Sequence, residues 1–221
     1  MSVEELYPFL YDGGGNAVAD VLAEVRRSTS DKAAEIVALR QRMATEDADR
    51  LTACAAAMAA AFRAGGRMYT FGNGGSSSDA QAVAQLFLDP GPGSRPLPAV
   101  ALTTDVAVVT ALSNDVGFEV VFARQLAAFA RPGDVAVGLS TSGGSANVLA
   151  AFAEARRLGL VTVGFAGYDG GRMAEAAAAG AIDHLFVVPS ASVHRIQEAQ
   201  TTTYHVLWEL VHVFFEHPGA L

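Results

Sequence analysis

The stretch 67-RMYTFGNGGSSSDAQAVAQLFL-88 decides the fold. Its first five residues form a short apolar run ended by glycine, which reads as a buried strand. The segment 72-GNGGSSSD-79 is then a tight turn, and the residues after it follow helical spacing. The same unit recurs at 134-DVAVGLSTSGGSANVLAAF-152, where the turn is 140-STSGGSAN-147. Two strand-to-helix turns rich in hydroxyls and bare backbone N–H groups suit an anionic ligand. A helix N-terminus offers unpaired donors and partial positive charge, and glycine lets the main chain approach closely. Neither turn contains lysine or arginine. A phosphate held there is held by neutral hydrogen bonds, which favours a small phosphorylated metabolite over a nucleoside triphosphate with its metal.

Outward from these turns the pattern continues as strand, loop and helix. Strands are predicted near 67–71, 97–102, 134–139, 160–165 and 183–188. Helices are predicted near 76–88, 106–113, 117–130, 144–157, 171–179 and 194–216. This alternation predicts an α/β fold with a parallel sheet covered on both faces, and ligands bind beyond the carboxyl ends of its strands. Ahead of it, 16–45 and 46–64 read as two helices, the first with a stripe of Ile36, Leu39 and Met43, the second stopping at Gly65–Gly66. Residues 1–15 form a short leading segment, and 16–221 are expected to make one domain that includes the helical pair.

Composition narrows the function. Half the residues are apolar, 17% are charged and the net charge is −8, which argues against nucleic acid as a direct partner. No apolar run reaches the ~20 residues of a membrane span, and the acidic start lacks a signal-peptide arrangement. A cytoplasmic protein is expected. The lone Cys54, among alanines, reads as a buried small hydrophobe. The run 72-GNGGSS-77 lacks the third glycine of a dinucleotide fingerprint, and no G-K-[ST] occurs.

The last helix carries more polar chemistry. At ~100° per residue, Ile196, Ala199, Thr203, Leu207, Leu210 and Phe214 share a core face, and His205, Glu209, His212 and Glu216 fall opposite. Gln197, Thr201, Tyr204 and Trp208 lie on the flank. The opposite stripe reads as a solvated face or a subunit contact; its histidines and glutamate have metal-ligand spacing, but that spacing is common on solvated helices. Asn114–Asp115 read either as a helix stop or as a polar wall for sugar hydroxyls. His194 opens the helix near the ligand end, whereas His184 and His217 read as structural or solvated.

Taken together, 72-GNGGS-76, 113-SND-115, 131-RPGDVAVGLSTSGGSANV-148, 167-GYDGG-171 and 195-RIQE-198 followed by His205 resemble the sugar isomerase (SIS) domain family. Within it they are similar to the phosphoheptose isomerase branch, which includes the initiator-associating protein that binds the bacterial replication initiator. The resemblance covers about residues 60 to 215. It implies a flavodoxin-like doubly wound sheet of five parallel strands and a homotetramer with ligand sites between subunits. It further implies that Asn73, Gly74, Gly75 and Ser76 line the sugar site and that Asn114 and Asp115 contact substrate. Ser140, Thr141, Ser142 and Ser145 would cradle the phosphate, and Gln197 and the acid/base His205 would come from the last helix.

Isomerases of this family carry a histidine and, four residues on, a glutamate in the helix after GNGGS. The glutamate moves a proton between C1 and C2, and the pair can hold zinc with the counterparts of Gln197 and His205. Here 79-DAQAVAQLFLD-89 places Ala82 and Leu86 at those positions. Alanine and leucine have no lone pairs for a metal and leucine cannot take a proton. No metal or cofactor is therefore expected. The expected function is binding of a phosphorylated sugar in a sensing role, with a regulatory protein partner. The alternative is an aldose–ketose isomerase of the sedoheptulose 7-phosphate type, using His205 and another base.

Overall fold

The computed structural model describes residues 17–219; the leading segment 1–15 lies outside the described residues. In chain order the elements are α1 (Ala17–Glu46), α2 (Ala48–Arg63), β1 (Met68–Gly72), α3 (Gly75–Leu88), β2 (Ala99–Ala101), α4 (Val106–Asp115), a 3-10 turn (Phe118–Val120), α5 (Val121–Phe129), β3 (Val135–Ser140), α6 (Ala146–Leu158), β4 (Val161–Gly167), α7 (Gly171–Ala178), β5 (His184–Val188) and α8 (Val193–Glu216). The strands form one parallel sheet in the order β2-β1-β3-β4-β5, with Met68 beside Val135 and Val135 beside Val161. This is the five-stranded doubly wound sheet that the sequence predicts, each strand within about two residues of its expected bounds.

Parallel strands are buried on both faces, which is why their sequences read as continuous apolar runs. One face carries α2, α3 and α8, whose Met58, Phe87 and Leu207 pack with Val137, Phe165 and Phe186 of the sheet. The other carries α5, α6 and α7, whose Leu126, Phe152 and Met173 pack with Phe71 and Ala136. Phe71 meets the edge of Phe152 at 5.4 Å between ring centres, and Gly138 leaves the room both rings occupy. Burying such a ring stabilises the fold by roughly 1.5–3 kcal/mol.

The stripe of α1 docks against α8: Ile36, Leu39 and Met43 meet Val188, Ile196 and Ala199. Arg195, buried at that junction, pairs with Glu35 of α1 and Glu198 of its own helix. Cys54 is fully buried with its thiol toward Met58, and burial pushes its pKa well up, so it is an inert part of the core. No described helix is long and apolar enough to cross a membrane.

Candidate functional site

The chain leaves β1 toward β2 on one side and later returns to place β3 on the other. Between them lies the switch point where a doubly wound sheet opens a crevice at its carboxyl edge. The β1–α3 loop at Gly72–Gly75 and the β3–α6 loop at Ser140–Ser145 flank that crevice. Neither helix closes its own N-terminus: Gly74 and Ser145 occupy the cap positions without a capping side-chain bond. Ser77 N–H and Val148 N–H turn back onto the Gly74 and Ser145 carbonyls at 3.0 and 3.1 Å, which leaves the first two N–H groups of each helix as donors with the helix dipole behind them.

The loops are locked to each other and to their neighbours. Asn73 Nδ2 donates to Asn147 Oδ1 at 2.8 Å, and Asn147 Nδ2 donates back to Asn73 Oδ1 at 2.9 Å. The hydroxyls of Ser140 and Ser145 lie 3.0 Å apart, and Gly144 N–H donates to Ser142 Oγ at 3.2 Å. Gly143, at φ +63°, lies so close to the Gly170 carbonyl that any β-carbon would collide with it. Gly167 N–H donates to the Thr141 carbonyl and Met173 N–H to the Gly143 carbonyl, both at 2.9 Å, so the β4–α7 turn braces the second serine loop.

Helix α8 reaches the first loop from the other side. Gln197 Nε2 donates to Asp79 Oδ2 at 3.1 Å and lies against Gly75, where a side chain would displace it. Burial raises the pKa of Asp79 above the usual aspartate value, against the opposing effect of the Gln197 hydrogen bond. Two turns along, His205 is exposed, and its Nδ1 lies 2.8 Å from the Thr201 carbonyl. A carbonyl only accepts, so Nδ1 carries a proton and Nε2 is the nitrogen without a protein partner among the described residues. The ring stacks on Tyr204 at 5.1 Å.

The structure therefore brings Asn73, Gly74, Gly75, Ser140, Thr141, Ser142 and Ser145 to the carboxyl edge of the sheet at the β1–β3 switch point, with Gln197 against the first loop. Ser76 lies in the first turn of α3 and is buried, whereas Ser142 is exposed. Asn114 and Asp115 end α4, where Asn114 Nδ2 donates to Asp115 Oδ1 at 2.7 Å. No described hydrogen bond ties that pair to either serine loop. Sequence reading did not single out Asn147; its signal is an amide in the first turn after a serine loop, one strand from a second loop that carries an asparagine.

One expectation for α8 is corrected. His212 was predicted on the outward polar stripe, but it is 6% exposed, with Phe87 and Trp208 beside its ring. Its two nitrogens face the carbonyls of Trp208 and Arg95 at 3.0 and 3.3 Å. The 89–98 loop folds over this end of α8, which helical period alone does not reveal. With His212 turned inward, the stripe cannot act as a metal site, and no group of three or more His, Cys, Asp or Glu side chains gathers elsewhere among the described residues. Ala82 and Leu86 pack against the core beside α8. They offer no donor atoms, so the family's zinc does not fit this chain through its usual ligands.

Comparison with known proteins follows the same line. The SIS domain family matches residues 33–167. The chain is 46% identical to the phosphoheptose isomerase of Aquifex aeolicus over 74% of its own length and 84% of that protein. It is 47% identical to that of Solidesulfovibrio magneticus over 82% of its own length and 87% of that protein. Among solved structures, phosphoheptose isomerase from Neisseria gonorrhoeae superposes with a TM-score of 0.77 at 33% identity, covering 85% of this chain and 98% of the other.

Proposed function

The chain belongs to the SIS domain family and resembles its phosphoheptose isomerases, and we propose that it binds a phosphorylated sugar in the crevice between β1 and β3. The phosphate sits on the hydroxyls of Ser140, Thr141, Ser142 and Ser145 and on the free N–H groups that open α6. The sugar lies toward Asn73, Gly74, Gly75 and Ser76, with Gln197 reaching in from α8. Asn114 and Asp115 join it in the assembled protein, which we take to be a homotetramer. The observation that carries this reading is the pair of uncapped helix N-termini fastened side by side by the reciprocal Asn73–Asn147 bonds.

On this reading the site senses a sugar phosphate and passes its occupancy to a protein partner, without the family's usual proton transfer. Leu86, packed against the core where the resemblance puts a carboxylate, supports it. General base catalysis typically accounts for ~10²–10⁴ in rate, and a hydrocarbon supplies none of it.

A second reading is supported by the identity to proteins named phosphoheptose isomerase. Here an isomerase interconverts an aldose and a ketose phosphate. A base takes the proton from C2 of the aldose, the enediol forms as O1 gains a proton, and reprotonation at C1 with loss of the O2 proton gives the ketose. On this reading the proton carriers are His205, which the resemblance makes the acid/base, and Asp79, whose carboxylate accepts from Gln197 beside the first serine loop. Incubation with sedoheptulose 7-phosphate in D2O, followed by NMR, separates the readings. Thermal stabilisation without deuterium incorporation or new sugar signals supports binding alone. Turnover that His205→Ala abolishes supports the isomerase.

A further inference from the structure

The turn that follows β4 contains a residue that the fold does not ask for. Gly170 N–H donates to the Gly167 carbonyl at 2.8 Å, so residues 167–170 close a four-residue turn with Tyr168 and Asp169 at its centre. Tyr168 has φ +54° and is the only non-glycine with positive φ among the described residues. Every other left-handed position there is glycine, including Gly170, which ends the turn, and Gly171, which opens α7. A turn with positive φ at its first central residue favours glycine, because a β-carbon crowds the following carbonyl. Core packing does not explain the exception, since Tyr168 is 39% exposed.

Its position gives it a use. The amide just before it, Gly167 N–H, is bonded to Thr141 of the second serine loop, and the glycines just after it interlock with Gly143 and Ser142. The turn is thus braced from both sides against the loop assigned to phosphate. Strain maintained by a rigid surround, beside a loop assigned to ligand, points to a group retained for what it touches. We propose that Tyr168 is a specificity-determining residue, its ring packing on the carbon face of the sugar whose phosphate rests on Ser140–Ser145. The inference rests on the sugar-phosphate reading above. A neutral phosphate cradle distinguishes poorly among phosphate esters, and an aromatic face beside it selects those that carry a ring or a long carbon chain.

Calorimetric titration of the intact protein with sedoheptulose 7-phosphate and with inorganic phosphate tests this. Tyr168→Gly is expected to weaken sugar phosphate binding about tenfold while leaving inorganic phosphate unchanged, and Tyr168→Phe to retain most of the sugar affinity. The unfolding midpoint of unliganded Tyr168→Gly is expected to match or exceed that of the unaltered protein, because the strained tyrosine is gone. Equal sugar phosphate affinity in the unaltered protein and Tyr168→Gly overturns the proposal and leaves the binding site standing. So does a lowered midpoint, which assigns the ring to the fold. If the unaltered protein binds neither probe, the underlying site reading fails, and this inference with it.

Discussion

Asn73 and Asn147, 74 residues apart in sequence, exchange both of their amide bonds across the gap between the serine loops. Each side chain uses one donor and one acceptor on the other, and Asn147 is only 3% exposed. The remaining N–H and carbonyl lone pair on each amide are spare. The pair sets the spacing of the two helix N-termini and so the size of anion they can grip together.

Removing one partner strands the other. Asn147→Ala is expected to cost about 1–3 kcal/mol, since Asn73 loses its partner inside a partly buried site. Asn73→Ala should cost more, because the amide it strands, Asn147, is the more deeply buried of the two. The double variant should cost less than the sum of the two, a coupling that chemical denaturation of all four proteins measures. Strict additivity would mean the amides do not depend on each other.

Asp79 makes a pH prediction with a definite sign. Burial raises its folded pKa, so the folded chain holds a proton that the unfolded chain has released. Stability should therefore fall as pH rises from the ordinary aspartate value of 3.8 to the raised folded value, and stay flat above it. Asp79→Asn removes that decline, so its stability relative to the unaltered protein should increase across the same window and then hold. Urea midpoints at a series of pH values test this; parallel profiles would reject a raised pKa.

Two glycine substitutions separate strain from collision. Gly93→Ala meets open space at φ +92°, and should cost only the left-handed penalty of about 1–2 kcal/mol. Gly143→Ala adds a clash with the Gly170 carbonyl, and should cost more than ~3 kcal/mol while loosening phosphate binding. Similar midpoints for the two variants would show that the loops yield easily.

Restoring the family's lost side chains is the direct test of what their absence means. The double variant Ala82→His with Leu86→Glu is expected to bind zinc together with Gln197 and His205, as metal analysis after dialysis would show. If its sole missing part is the base, turnover of sedoheptulose 7-phosphate should rise by about 10²–10⁴. A variant that folds but gains neither zinc nor activity would place these positions away from His205 and Gln197.

The parallel sheet, its five strands and both serine loops were legible because they rest on local signals. Apolar runs such as 135–139, glycine turns and helical spacing are each readable within a dozen residues. The pairs that shape the site were not. Asp79 and Gln197 are 118 residues apart, and nothing near either residue announces the other. The core face of α8 followed from its period, with Ile196, Ala199, Thr203 and Leu207 buried as expected. His212 was misplaced because a loop from beyond Phe87, not the helix itself, decides what covers it. Tyr168 was quoted within a motif, but its backbone conformation cannot be read from its letter.

The neutrality of the two anion loops has a bearing on how the protein behaves with ionic strength. Sites built from arginine or lysine release their anions as electrolyte is added. Here the grip comes from hydroxyls and peptide dipoles, on a chain whose overall charge is −8. Dissolved ions shield a negatively charged guest from that surplus without competing for a cationic side chain. Affinity for a phosphate ester should therefore hold steady or tighten between dilute buffer and half-molar sodium chloride, and a steep decline would reveal a cation at the site.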